Sequence, residues 1–129
     1  MKVLVVANGV PDGAKLLDGI FEFDQAKALA NAGVDVDFFG IDLRSIRHFR
    51  KFGITSGVKD GIRWHKISIP LGQIPLKLFC IIGKKALCYL YNRIFVNSLP
   101  PDIIHAHFTE QGYMATALSK KKGIPLVLT

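Results

Sequence analysis

Residues 3–39 constrain the fold more than any other stretch. Val3 to Ala7 is an unbroken apolar run rich in β-branched residues, the pattern of a strand covered on both faces. A loop carrying Gly9, Pro11, Gly13 and Gly19 follows. Ile20 to Ala32 then reads as a helix, with Phe21, Gln25, Ala28, Leu29 and Ala32 sharing one face and Gly33 as its C-cap. Val34 to Phe39 is a second apolar run. Strand, helix and strand this close together make a βαβ unit, whose right-handed crossover sets the two strands parallel.

The rest of the chain continues the alternation. Leu43 to Phe52 is expected as a short basic helix. Lys59-Asp60-Gly61 has turn chemistry, and Ile62 to Ile69 returns as a strand. After a Pro70–Pro75 loop, Leu76 to Asn97 is the longest helix, stopped by Pro100-Pro101. Asp102 to Ala106 reads as a short buried strand. Thr109 to Lys122 is a helix with Thr109 as N-cap and Gly123 as C-cap, and Ile124 to Leu128 is a last buried strand.

Such alternation argues an α/β fold: a Rossmann-like, doubly wound parallel sheet with helices on both faces. The expected strand order is 3-2-1-4-5, which puts the topological switch between Val3–Ala7 and Asp102–Ala106. Ligands of open α/β sheets bind at that switch. Its walls would be the loops Asn8–Gly19 and His107–Gln111, so Asn8, Gly19, His107, Thr109 and Glu110 are the candidate site residues. The chain stops on Thr129, where the next loop would add to the same cleft, and it therefore reads as one truncated domain spanning residues 1–129.

Bulk properties narrow the setting. Half the residues are apolar, which excludes a disordered chain. Seventeen Lys and Arg face ten Asp and Glu, an excess that suits either an anionic partner or a basic solvated surface. Cys80 and Cys88 lie on one expected helix about 12 Å apart along its axis, too far for a disulfide. They read as core residues of a reducing, cytoplasmic compartment. No signal peptide and no apolar run of spanning length is visible, so the reading is of a soluble or peripheral protein.

The chemistry-bearing motifs are fewer than the fold suggests. Gly9, Gly13 and Gly19 are too widely spaced for a dinucleotide-binding Gly-x-Gly-x-x-Gly turn, and no Gly-Lys-Ser/Thr follows to make a phosphate-binding P-loop. His105 and His107 stand two apart at a strand end, a spacing that puts both on one side. With no third ligand nearby, metal binding is disfavoured; a polar role for His107 beside a helix N-terminus competes with a plain structural histidine. On the long helix, Lys77, Lys84, Lys85 and Asn92 make a basic stripe interrupted by Ile81 and Cys88. That pattern fits an interfacial helix on an anionic membrane or a buried helix with a lysine edge, and the buried reading is favoured. Arg44, Arg47, His48, Arg50 and Lys51 form a second basic cluster, suited to a phosphorylated or lipid-diphosphate acceptor if it faces the cleft.

Four segments carry a family resemblance over nearly the whole chain. The opening Met-Lys-Val-Leu-Val-Val-Ala-Asn-Gly-Val-Pro, the stretch from Gly19 to Val36, Pro101-Asp-Ile-Ile-His-Ala-His-Phe and Gly123-Ile-Pro-Leu-Val-Leu-Thr resemble, in order, segments of one family. It is the N-terminal domain of the GT-B-fold glycosyltransferases of family four, also labelled glycosyl transferases group 1. The third segment is the most specific. The resemblance implies a retaining enzyme moving a sugar from a nucleotide-sugar donor to a saccharide or lipid-linked acceptor, with no cofactor, no metal and no nucleic-acid partner. It implies that this domain binds chiefly the acceptor, while a C-terminal domain absent from this sequence holds the nucleotide and a Glu-x7-Glu motif. By position, His107 matches the family's active-site histidine and Gly19 the loop glycine before the first helix, without the paired glycines often found there. The fragment alone is expected to be inactive. A dehydrogenase or epimerase nucleotide module and a non-catalytic domain on anionic membranes are the alternatives. Peripheral membrane contact is compatible with the first reading as well.

Overall fold

β1 (Lys2–Ala7) is central because both of its faces are apolar. Side chains alternate along a strand. Val3, Val5 and Ala7 enter a cluster with Phe23, Ala26 and Phe38, whereas Leu4 and Val6 enter the opposite cluster with Leu87, Leu90, Met114 and Leu118. The computed structural model describes residues 1–11, 20–43, 52–71 and 74–129. Gly19 and residues 44–51 of the expected basic helix, with the whole Arg44–Lys51 cluster, lie outside the described residues.

The elements in chain order are β1, α1 (Ile20–Asn31), β2 (Asp35–Asp42), β3 (Gly53–Lys59), β4 (Ile62–Ser68), α2 (Leu76–Ile94), β5 (Ile103–Ala106), α3 (Phe108–Lys122) and β6 (Leu126–Leu128). They build a sheet ordered β3-β4-β2-β1-β5-β6. Every neighbouring pair is parallel except β3 and β4. The five parallel strands thus follow the order expected from sequence. Because the chain steps away from β1 in opposite directions, right-handed crossovers put α1 on one face and α2 and α3 on the other. The Rossmann-like α/β class is confirmed.

One element is added to those expected and three expectations are corrected. β3, over residues for which no element is expected, is an antiparallel edge strand. Asp60 and Gly61 both have positive φ, 53° and 78°, the geometry of a two-residue primed turn whose twist matches a hairpin, and Lys59 pairs with Ile62 across it. α1 buries Glu22, Phe23 and Ala26, while Phe21 is 78 % exposed. The Phe23 ring meets Phe38 of β2 edge-on at 5.1 Å, and this contact sets the helix rotation. β6 is not buried: Val127 and Leu128 are both about half exposed, on a strand paired on one side only among the described residues. Finally, α3 begins at Phe108 with His107 in the N-cap position, so Thr109 lies inside the first turn and caps nothing.

Both expected glycine caps are present. At Gly33 (φ 91°), Val34 N–H reaches Leu29 O at 3.1 Å; at Gly123 (φ 67°), Ile124 N–H reaches Ser119 O at 3.1 Å. A left-handed residue is what lets those bonds close.

Candidate functional site

The switch lies where expected, between β1 and β5. Val6 pairs with Ala106, and the His107 N–H donates to Val6 O at 3.2 Å, so the residue after β5 is pinned beside the end of β1. From there the two strands lead to opposite faces, and a cavity of about 600 Å³ opens. Asn8, Ile41 and Leu43 form one side of it, Ile74, Leu76 and Phe79 at the start of α2 a second, and Phe108, Glu110 and Gln111 of α3 a third.

The loop after β1 reaches this cavity because of Gly40 in β2. A Cβ there would lie 2.7 Å from Val10 Cγ2 and 2.9 Å from the Gly9 carbonyl carbon. The missing side chain lets the loop cross β2 in close contact and bury Val10. Asn8 is thereby presented to the cavity.

On the other wall the backbone is strained. Phe108 has φ 66°, a left-handed conformation costing a bulky residue on the order of 1–3 kcal/mol. It is held there by hydrogen bonds that extend the ladder: Phe108 N–H donates to Thr129 O, and Thr129 N–H to Ala106 O, each at 3.0 Å. The kink swings the Phe108 ring onto the cavity. Behind it His107 is only 5 % exposed, and its Nε2 has no hydrogen-bond partner among the described residues. Burial lowers the His107 pKa from 6.5, so the imidazole is neutral near pH 7, with one nitrogen donating and one accepting. The His105 ring lies 4.5 Å away; its Nε2 shares a hydrogen bond with Thr129 Oγ1. Its pKa is lowered too, by burial first and by His107 second.

The expected site residues therefore separate. Asn8 and Glu110 line the cavity together. Thr109 is exposed and does not line it, and His107 is buried next to the wall without forming part of it. Gly19 lies outside the described residues. Sequence reasoning missed Phe79, brought across by the start of α2, and gave no role to Phe108. A bulky residue directly after a strand-end histidine carries no warning of positive φ. Among the described residues, no group of three His, Cys, Asp or Glu is placed to hold a metal ion.

The lining decides what could bind. Six lining side chains are apolar, Asn8 and Gln111 are neutral amides, and Glu110 is the single charged group among the described residues. A carboxylate repels phosphate, whereas amides, a carboxylate and aromatic faces together suit a neutral, hydroxyl-rich ligand with an apolar side.

No protein-family model matches the chain, and no curated protein matches it. Solved structures do. Sucrose-phosphate synthase from Thermosynechococcus elongatus superposes with a TM-score of 0.65 at 16% identity, over 99% of this chain and 32% of that one. What they share is the fold. This chain thus spans about a third of that synthase. The C-terminal domain of a Pyrococcus furiosus hydrogenase matches with a TM-score of 0.63 at 13% identity, over 98% of this chain and 89% of that domain. The E. coli trehalose-6-phosphate protein bound with UDP-2-fluoro glucose matches with a TM-score of 0.53 at 17% identity, over 99% of this chain and 32% of that one. A hydrogenase domain among the matches makes the limit plain: this architecture serves unrelated chemistries.

Proposed function

We propose that this domain is the acceptor-binding part of a retaining glycosyltransferase of the GT-B type. Three lines support the reading: the segment ending in His107, the cavity at the switch, and the structural matches to a sucrose-phosphate synthase and to a trehalose-6-phosphate synthase described as a retaining glycosyltransfer enzyme. The observation that carries it is the cavity lining. With Glu110 as its one charged group among the described residues, the cavity disfavours a nucleotide diphosphate and favours the sugar or hydroxyl-bearing end of an acceptor. The nucleotide-sugar donor would be held mainly by a second domain.

In such an enzyme the acceptor hydroxyl attacks the anomeric carbon on the face from which the nucleotide diphosphate leaves, so configuration is retained. The hydroxyl proton passes to the departing phosphate oxygen, and no covalent protein intermediate forms. Neutral His107 is buried behind Phe108 with an Nε2 that has no partner among the described residues, so it would meet a sugar hydroxyl as a hydrogen-bond partner only once the Phe108 ring moves off it. Its role is orientation of the sugar.

The test is a nuclear magnetic resonance titration of the isotope-labelled chain. A neutral disaccharide at high concentration is expected to shift the amide signals of Asn8, Glu110 and Gln111, and UDP-glucose to leave them in place. Shifts at Asn8 and Glu110 from UDP-glucose alone would favour a nucleotide-binding module instead. Residues 1–129 by themselves are expected to transfer no sugar, which a radiolabelled donor assay checks.

A further inference from the structure

A second hollow, of about 520 Å³, lies along the sheet edge between the β3–β4 hairpin and the side of α2. Ile54 and Ile67 line it from the two strands and Ile82 from the helix. Its rim on α2 is Lys85, Tyr89 and Arg93, spaced four residues apart and so aligned along one side of the helix. Phe52, 73 % exposed, stands at the hairpin side, and Tyr89 is 55 % exposed. No acidic side chain lines the hollow, and Lys85 and Arg93 form no ion pair among the described residues. All of α2 carries Lys77, Lys84, Lys85 and Arg93 with no Asp or Glu.

An apolar trough bounded by exposed aromatic rings and by cations with no ion pair among the described residues is complementary to one surface in particular. A bilayer with acidic lipids supplies acyl chain for the trough, phosphate for the cations and the polar–apolar boundary that Tyr and Phe occupy. We propose that this trough seats an anionic phospholipid at a membrane surface, its acyl chain against Ile54, Ile67 and Ile82 and its phosphate between Lys85 and Arg93. The attachment proposed is peripheral; no helix among the described residues is long and apolar enough to cross a membrane. Seated this way, the protein holds the cavity at the switch close to the bilayer, because Phe79 of the cavity and Ile82 of the trough are separated by less than one turn of α2.

Vesicle co-sedimentation tests this without any donor or acceptor, so it stands or falls separately from sugar transfer. The whole 129-residue chain is expected to sediment with phosphatidylcholine–phosphatidylglycerol vesicles and to stay in solution with phosphatidylcholine alone. Each rim cation should contribute about fivefold, so the Lys85→Ala/Arg93→Ala pair should weaken binding about 25-fold. Phe52→Ser and Tyr89→Ser should each weaken it several-fold at unchanged charge. The exposed pair Lys120→Ala/Lys121→Ala on α3, which does not line the trough, should change it by less than about twofold. Equal losses from the α3 pair, or no effect of Phe52→Ser and Tyr89→Ser, would reduce the binding to bulk charge and overturn the trough. A dimer by light scattering that Phe52→Ser dissociates would also overturn it, by assigning the trough to a second copy of the chain.

Discussion

The side chains of Arg63 and Asp37 meet through two hydrogen bonds, Nε to Oδ1 at 2.9 Å and an Nη to Oδ2 at 3.0 Å, across the β2–β4 pair. Asp37 is almost wholly buried, and Lys2 approaches it at 3.8 Å from the β1 side. The arginine also bonds Asp35 at 2.7 Å, and its pKa is pushed up by these hydrogen bonds, that to Asp37 foremost. This bidentate clasp ties three neighbouring strands together at the end of the sheet opposite the cavity.

Removing the arginine leaves a buried carboxylate with only a distant lysine. Arg63→Met is expected to lower stability by roughly 1–3 kcal/mol. The double variant Arg63→Met/Asp37→Asn should recover part of that, because position 37 then carries no buried charge. Urea unfolding of the three proteins measures it, and a double variant less stable than the single would contradict the account.

Gly40 and Gly83 are expected to respond differently to alanine. At Gly40 the new methyl meets backbone of the β1–α1 loop, which cannot turn aside without moving Asn8. Gly40→Ala should therefore cost about 1–3 kcal/mol and shift the Asn8 amide signal. At Gly83 the methyl meets the Cε and Sδ of Met114, the end of a flexible side chain, and alanine gains helix propensity of up to about 1 kcal/mol. Gly83→Ala should be the milder change in thermal melts.

The paired histidines predict a pH dependence. His65, His105 and His107 all have pKa values lowered from 6.5, with burial the leading cause. The unfolded chain therefore takes up protons at these sites before the folded one does. Their contribution is complete above pH 6.5, fades as the pH falls below it, and levels off once the folded-state values are passed. Urea midpoints at about pH 7.5 and about pH 5 should differ accordingly. Replacing His107 by Gln should shrink the difference; a midpoint independent of pH would refute it.

His107→Gln and His107→Ala bear on the proposed chemistry in an enzyme that has both domains. If Nε2 orients the sugar, alanine should lower kcat about a hundredfold with little change in acceptor KM. Glutamine, which keeps a hydrogen-bonding group there, should recover part of the loss. Circular dichroism melts separate this from a folding defect. Turnover unchanged in the alanine variant would remove His107 from the site.

Much of the fold was legible locally. Val3–Ala7, Val34–Phe39 and the two glycine-capped helices announce themselves through patterns that backbone geometry imposes on neighbouring residues. The Asp60-Gly61 turn was visible too, but Gly53–Lys59 carries so few apolar residues that its pairing with β4 was not. The location of the switch followed from strand order alone, and with it Asn8 and Glu110 as cavity residues.

Other features depend on contacts distant in sequence. Local periodicity puts Phe21 on one face of α1 with Gln25, Ala28, Leu29 and Ala32, and only the contact with Phe38 of β2 makes Phe23 the core residue instead. His107 is a strand-end histidine until the ladder from Ala106 to Thr129 bends Phe108 over the cavity and leaves Nε2 enclosed. The lysine edge of α2 becomes one rim of a trough only when the β3–β4 hairpin lies beside it. Periodicity belongs to the local chain and can be read from it. Which side chain is buried, and which polar atom goes unpaired, depends on the elements packed against it, and only the tertiary structure brings those together.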